Sequence, residues 1–115
     1  MRPVSLSSRR ASFAAVVLLS LWALFSPGST VPAGPPYSDK LVHTLLFAAL
    51  AVTGLRAGLR PIPLVLGLTA YAAGSEVLQA MMPIHRDGDL ADAAVDVLGV
   101  ALGVALTGLT RGWRR

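Results

Sequence analysis

The sequence predicts an all-α protein, a membrane-embedded bundle of four transmembrane helices, from its composition, its apolar runs and its charge placement. Hydrophobic residues make up 54% of the 115 residues and charged residues only 14%, against about 25% charged residues in ordinary soluble domains. The apolar residues are gathered into four long runs, and most basic residues stand at the ends of these runs. Because a soluble fold of this composition would expose large apolar patches, we expect one membrane domain over residues 1–115.

The four predicted spans cover about residues 11–26, 39–55, 62–82 and 90–109. A helix needs about 20 residues to cross a hydrocarbon core of about 30 Å. The third and fourth runs reach this length by themselves, whereas the first two need flanking residues that extend to the interface. The connector 26–36 is rich in Pro, Gly and Ser, and 56–61 and 83–88 are short turns. These connectors predict that neighbouring helices form hairpins.

The first run also fits a signal peptide. Arg9 and Arg10 precede the apolar stretch, and the Val-Pro-Ala sequence at 31–33 resembles a cleavage site with small residues. Cleavage there would leave three spans with the same orientation. We favour the interpretation in which the first run is kept as a span.

The basic residues predict the orientation of the bundle. Eight of the ten Lys and Arg residues fall on one side of a four-span arrangement, namely Arg2, Arg9, Arg10, Arg56, Arg60, Arg111, Arg114 and Arg115. Lys40, Arg86 and all six acidic residues fall on or near the other side. Since cytoplasmic loops carry an excess of Lys and Arg, both termini are expected in the cytoplasm. The scattered basic residues lack interleaved aromatic residues, which argues against a nucleic-acid partner.

Ionisable and amide side chains recur near the outer ends of three predicted spans. The candidate binding residues are Asp39, Lys40, His43, Glu76, Gln79, Arg86, Asp92 and Asp96. At about 1.5 Å per residue, His43, Glu76 and Asp96 lie about 20–24 Å from the arginines at the inner ends of their helices. This depth is the outer third of a core of about 30 Å. Because charges inside a membrane cost free energy and commonly mark functional sites, we expect one shared cluster there.

Several of these residues also have a purely structural interpretation. Gly99 and Gly103 continue the helix face of Asp96, and two glycines four residues apart allow a neighbouring helix to approach closely, so we assign them to helix packing. We interpret Gln79 as an interhelical hydrogen-bonding group. Lys40 has the alternative of an interfacial anchor, and Asp39 has the alternative of a helix N-cap.

The order and spacing of these motifs resemble the VanZ-like family of small multi-pass bacterial membrane proteins. The resemblance runs from residue 39 to about 103, through Asp-Lys-x-x-His, Glu-x-x-Gln, a loop Arg, an Asp and Gly-x-x-x-Gly. It carries family positions onto Asp39, Lys40, His43, Glu76, Gln79, Arg86 and Asp92. Two positions depart from the family pattern: Asp96 stands where Asn is common, and Thr44 where an aromatic residue often follows the His.

The resemblance implies a bacterial plasma-membrane protein with a role in the cell envelope; the named member of the family is linked to teicoplanin resistance. We expect this chain to act at the outer face of the cell membrane. Its expected partners are the lipid bilayer and either a lipid-linked cell-wall precursor or another membrane protein. Lys40 and Arg86 would hold an anionic group, oriented by Glu76 and Asp92. No cofactor or metal is assigned.

Three other functions stay open, and the sequence does not decide whether a reaction is catalysed. An enzyme on a lipid headgroup would use His43 as a general base, or a divalent metal held by His43, Glu76, Asp92 and Asp96. The absence of a nucleophile motif and the single intramembrane His disfavour it. A proton-coupled transporter component would use the carboxylates, but the polar set ends in the outer third. A structural subunit of a membrane complex would use these groups only to hold helices together.

Overall fold

The computed structural model describes residues 4–25, 38–81 and 90–113, and within these ranges the chain forms four α-helices and no strand. The helices are α1 (Leu6–Phe25), α2 (Ser38–Arg56), α3 (Pro61–Met81) and α4 (Leu90–Trp113). The prediction of an all-helical chain with four helices is confirmed. Two of them, α1 and α3, are long and apolar enough to cross a membrane.

α1 begins before its predicted apolar span, and α4 ends after its predicted span. α1 begins at Leu6, ahead of residue 11, because Ser5 caps it. The hydroxyl oxygen of Ser5 accepts a hydrogen bond from the backbone N–H of Ser8 at 3.2 Å, which satisfies one of the amide groups left without a helical partner in a first turn. α4 likewise continues past residue 109 to Trp113.

A tight turn reverses the chain between α2 and α3. Gly58 has a φ of +93°, a left-handed conformation that costs glycine nothing. The N–H of Gly58 donates to the Leu55 carbonyl, and the N–H of Leu59 donates to the Gly54 carbonyl, both at 3.1 Å. This pair of bonds is the Schellman ending of a helix. Pro61 then opens α3 at a position where its missing N–H costs nothing.

α2 and α4 lie side by side with their backbones in close contact. Thr44 faces Gly99, and one turn further along both helices Ala48 faces Gly103, so the helices run parallel. A β-carbon on Gly99 would collide with the Thr44 carbonyl oxygen. A β-carbon on Gly103 would lie 2.5 Å from the Ala48 oxygen and 2.7 Å from the Ala51 β-carbon. Only glycine at these two positions permits this approach.

α1 and α3 also run parallel to each other. Ser20 of α1 contacts Tyr71 of α3, and further along both helices Leu24 contacts Gln79. The tight turn makes α3 antiparallel to α2. Because α1 is parallel to α3 and α4 is parallel to α2, successive helices alternate in direction. The beginnings of α2 and α4 therefore lie at the same end of the bundle as the ends of α1 and α3.

The bundle buries several polar side chains beside an apolar core and exposes many large apolar side chains. Buried polar residues are Ser20, His43, Ser75, Glu76, Gln79, Asp96 and Thr107. The apolar core comprises Leu24, Phe47, Leu50, Ala51, Leu55, Leu64, Leu68, Ala72 and Val100. Each helix has exposed leucines on its outward face. Examples, one from each helix, are Leu18, Leu45, Leu66 and Leu102, which are between 46% and 67% exposed.

Candidate functional site

The core of the candidate site is a buried contact between α2 and α4. His43 Nδ1 lies 2.8 Å from Asp96 Oδ1, a hydrogen-bonding distance. The two residues are only 2% and 0% exposed. The contact depends on the close approach of the helices, because His43 adjoins Thr44 and Asp96 precedes Gly99 by one turn. With the Thr44 backbone against Gly99, the short Asp96 side chain can reach the imidazole.

α3 adds a second carboxyl group to this contact. Glu76 is 7% exposed and lies in the last third of α3. One potential ligand atom from each of His43, Glu76 and Asp96 lies within 4.8 Å of the other two. We call these three residues the buried triad. Each comes from a different helix, so tertiary packing assembles the triad.

Gln79, one turn beyond Glu76, is directed to α1. Its side-chain nitrogen donates a hydrogen bond of 2.5 Å to the backbone carbonyl of Leu24. Leu24 lies in the last turn of α1, where carbonyls have no partner within the helix. Gln79 therefore satisfies a helix end and ties α1 to α3, a contact of the interhelical kind expected for this residue. The neighbouring Ser75 hydroxyl donates only to the Ala72 carbonyl of its own helix, at 2.9 Å.

The first turns of α2 border the triad. Lys40 is half-buried and lies one turn before His43. Its backbone carbonyl accepts a hydrogen bond of 2.9 Å from the Thr44 hydroxyl. The same hydroxyl lies 3.4 Å from the Val95 carbonyl of α4. Thr44, which departs from the family pattern, is thus a direct part of the α2–α4 contact.

Three other predicted site residues lie wholly or partly outside the described part of the chain. Arg86 falls outside the described residues. Asp39 and Asp92 belong to α2 and α4, but their side chains are not among those described. Gly99 and Gly103 lie on the same buried face of α4 as Asp96. Of the eight predicted binding residues, the structure brings His43, Glu76 and Asp96 together.

The donor set of the buried triad determines what it can bind. Two carboxyl groups and one imidazole provide oxygen and nitrogen lone pairs. Ionised carboxylates in a low-dielectric interior require compensating positive charge or hydrogen-bond donors. The triad by itself therefore attracts a cation or a donor group. The predicted anionic ligand would depend on Lys40 and Arg86.

One polar contact was missed by the sequence reasoning. Ser20, fully buried in α1, donates to the Val17 carbonyl at 2.7 Å. Its oxygen lies 2.9 Å from the Tyr71 hydroxyl, which acts as the donor because the single Ser20 proton is already used. The Tyr71 ring in turn lies 5.5 Å from the Phe47 ring, centroid to centroid. A serine within the apolar run of α1 was the one sequence signal for this contact.

A groove elsewhere on the molecule is lined mainly by apolar side chains. It has a volume of about 490 Å³ and is bordered by Phe13 of α1 and by Leu64, Leu68 and Tyr71 of α3, with Arg60 at its rim. Apart from Arg60 and the Tyr71 hydroxyl, these side chains are apolar. The convergent titratable groups lie at the other end of α3, so the buried triad is the candidate site.

Comparison with known proteins adds no relative. No protein-family model matches the chain, and neither a curated protein nor a solved structure matches it. The VanZ-like resemblance stays a prediction based on the order and spacing of the motifs.

Proposed function

We propose that this chain is a VanZ-like multi-pass membrane protein that crosses the membrane four times, with both termini in the cytoplasm. The exposure of many large apolar side chains, together with the burial of ionisable ones, supports this proposal. Leucines on all four helices face outward while ionisable groups are buried. In water such a surface would be a large apolar patch, whereas in a bilayer it contacts lipid.

Charge supports the proposed orientation. Arg9, Arg10, Arg56 and Arg60 lie at the bundle end opposite the buried triad, since α1 and α3 begin there and α2 ends there. Arg111, in the last turn of α4, belongs to the same end. An excess of arginine is typical of the cytoplasmic side. The buried triad would then lie near the outer face.

The proposed function is recognition of a membrane-borne cell-envelope ligand by the buried triad. The single observation that carries it is the burial of three ionisable side chains, from three helices, within 4.8 Å of one another. Helix packing alone does not require such a cluster, because further along the same helices Gly103 packs directly on Ala48 and Ala51. Intramembrane ionisable groups beyond the needs of packing are characteristic of ligand or ion sites.

The topology is tested by single-cysteine labelling. The chain contains no cysteine, so Ser5→Cys and Gly34→Cys can be made in the natural background. A membrane-impermeant maleimide should label Gly34→Cys in intact cells and Ser5→Cys only after permeabilisation. Labelling of Ser5→Cys in intact cells would overturn the orientation. Loss of Ser5→Cys from the mature chain would show that the first run is cleaved.

The role of the site is tested by complementing a deletion strain. Glu76→Gln preserves the shape of the side chain and removes its charge. It should therefore fail to complement the deletion, measured as glycopeptide susceptibility and as the level of lipid-linked precursors. Ser75→Ala is the matched control, because Ser75 is also buried on α3 but bonds only its own helix. Full complementation by Glu76→Gln at normal membrane levels would overturn the proposed role.

A further inference from the structure

We propose that the buried triad binds one divalent transition-metal ion of the Zn²⁺ type through His43, Glu76 and Asp96. This inference deepens the proposed function and rests on it, since it names the ion through which the site would meet its ligand. The sequence alone did not favour a metal, because it offered only one intramembrane His and no nucleophile motif, although it predicted one shared cluster of polar groups.

The spacing of the donor atoms suits an ion at their centre. One atom from each residue lies within 4.8 Å of the other two. A tetrahedral Zn²⁺ with bonds of about 2.0–2.2 Å holds its ligand atoms about 3.3 Å apart. The most widely spaced pair of donor atoms would therefore need to close by up to about 1.5 Å around a tetrahedral ion.

The chemistry of the donors selects the class of ion. One imidazole nitrogen with two carboxylate oxygens is a mixed set that suits Zn²⁺ and its neighbours in the first transition series. Purely oxygen-rich sites with many ligands suit Mg²⁺ and Ca²⁺ instead. The charges also match, since a divalent ion and two carboxylates sum to zero around a neutral imidazole. A neutral assembly is the form that a low-dielectric interior tolerates best.

The surrounding packing holds two of the three ligands in place before an ion binds. Asp96 and His43 stand at the point where Gly99 meets the Thr44 backbone, so their spacing is set by rigid helices. The proton shared between His43 Nδ1 and Asp96 Oδ1, which lie 2.8 Å apart, would have to leave this contact, to Nε2 of the same ring from a neutral imidazole or to solvent from a protonated one, because metal ligands bind through deprotonated atoms. Sites built on such rigid elements are better defined than sites on loops.

A three-residue metal site also identifies a class of ligand. Zn²⁺ sites with three protein ligands keep a fourth position open. An ion in that state is a Lewis acid that binds and polarises a phosphoryl oxygen. The metal would thus let an acid-lined site accept the phosphate of a lipid headgroup, which the carboxylates alone would repel.

The test measures metal content and affinity in the purified full-length protein. The chain is extracted in detergent, treated with a chelator, loaded with Zn²⁺ or Co²⁺ and separated from excess ion. We expect one ion per chain, and a visible Co²⁺ spectrum of tetrahedral type. Glu76→Gln and His43→Gln each remove a direct ligand, so they should weaken binding by more than the roughly 10–100-fold that loss of a group behind a ligand costs, whereas Ser75→Ala should bind like the natural chain. Circular dichroism checks each fold, and Asp96→Asn replaces any variant that fails to fold.

The outcomes separate this inference from the function on which it rests. No retained ion, equal retention by the Glu76→Gln and natural chains, or a preference for Mg²⁺ or Ca²⁺ would overturn the metal site. If the natural chain holds no ion but Glu76→Gln still loses the envelope phenotype, the metal site fails and the proposed function stands. If the ion binds and Glu76→Gln complements fully, the metal site stands and the proposed function fails.

Discussion

The two ends of the bundle are held together by different forces. At the triad end, which contains His43, Glu76 and Asp96, buried polar groups from three helices meet. At the arginine end, where α2 turns into α3, the helices meet through apolar contacts, such as Gly54 of α2 against Leu64 of α3. Because close packing suffices to join these helices at one end, the ionisable groups at the other are not needed for assembly. The difference is the main reason to place function at the triad end.

The largest effect should follow from breaking the α2–α4 contact that connects both ends. Gly99→Ala and Gly103→Ala place a β-carbon against the backbone of α2, and such overpacking costs about 1–3 kcal/mol or more. Denaturant unfolding in detergent, followed by tryptophan fluorescence, measures the loss. Gly108→Ala is the control on the same helix, because its added β-carbon has no described atom within 4 Å apart from those of its chain neighbours and of the backbone of its own helix. Equal stability of the three variants would contradict the close approach.

A smaller effect is expected from the triad itself. Asp96→Ala removes the acceptor for His43 and leaves a buried ring nitrogen without its 2.8 Å contact, at a cost of about 1–2 kcal/mol. Asp96→Asn keeps an acceptor oxygen and should lose less. The same unfolding titration compares the two variants. If they unfold alike, the contact with His43 does not stabilise the bundle.

The hydrogen bond by which Gln79 of α3 holds α1 should contribute still less to the free energy of unfolding. Gln79→Leu removes the hydrogen bond to the Leu24 carbonyl, and interhelical bonds of this kind contribute about 0.6–1.7 kcal/mol in membranes. Thr53→Val serves as the control, since the Thr53 hydroxyl bonds only carbonyls of its own helix. Limited proteolysis should show α1 released more readily in Gln79→Leu. Unchanged cleavage would argue that α1 is held by apolar contacts alone.

The smallest effect on stability is expected from the hydrogen bond between the Ser20 and Tyr71 hydroxyl groups, which lies between the two ends of the bundle. A double-mutant cycle with Ser20→Ala and Tyr71→Phe should give a coupling energy of about 0.6 kcal/mol. The cycle cancels the apolar cost of each substitution and isolates the hydrogen bond. Strictly additive losses would show that the two hydroxyls contribute separately to stability.

The helices were predictable because long apolar runs of helical length are a feature of local sequence. The long apolar runs predicted four helices, and the described part of the chain forms four helices. Their ends were less predictable. α1 starts earlier than its apolar run because Ser5 supplies a cap, and capping depends on the position of one side chain rather than on hydropathy.

The candidate site was predictable only in part. Helical spacing puts His43, Glu76 and Asp96 at a similar depth in three separate helices, and these three converge in the structure. Spacing could not show that Gln79 would turn away to the Leu24 carbonyl. It also gave no sign of the contact between Ser20 and Tyr71.

The sequence by itself determined the separation of arginines from acids along the helices and the position of each polar group along its helix, because these follow from local order and helical rise. The tertiary structure decided which polar groups meet. Contact between helices depends on how closely their backbones approach, and here Gly99 and Gly103 set that distance. They bring Asp96 within hydrogen-bonding reach of His43, and α3 then adds Glu76 to complete the buried triad.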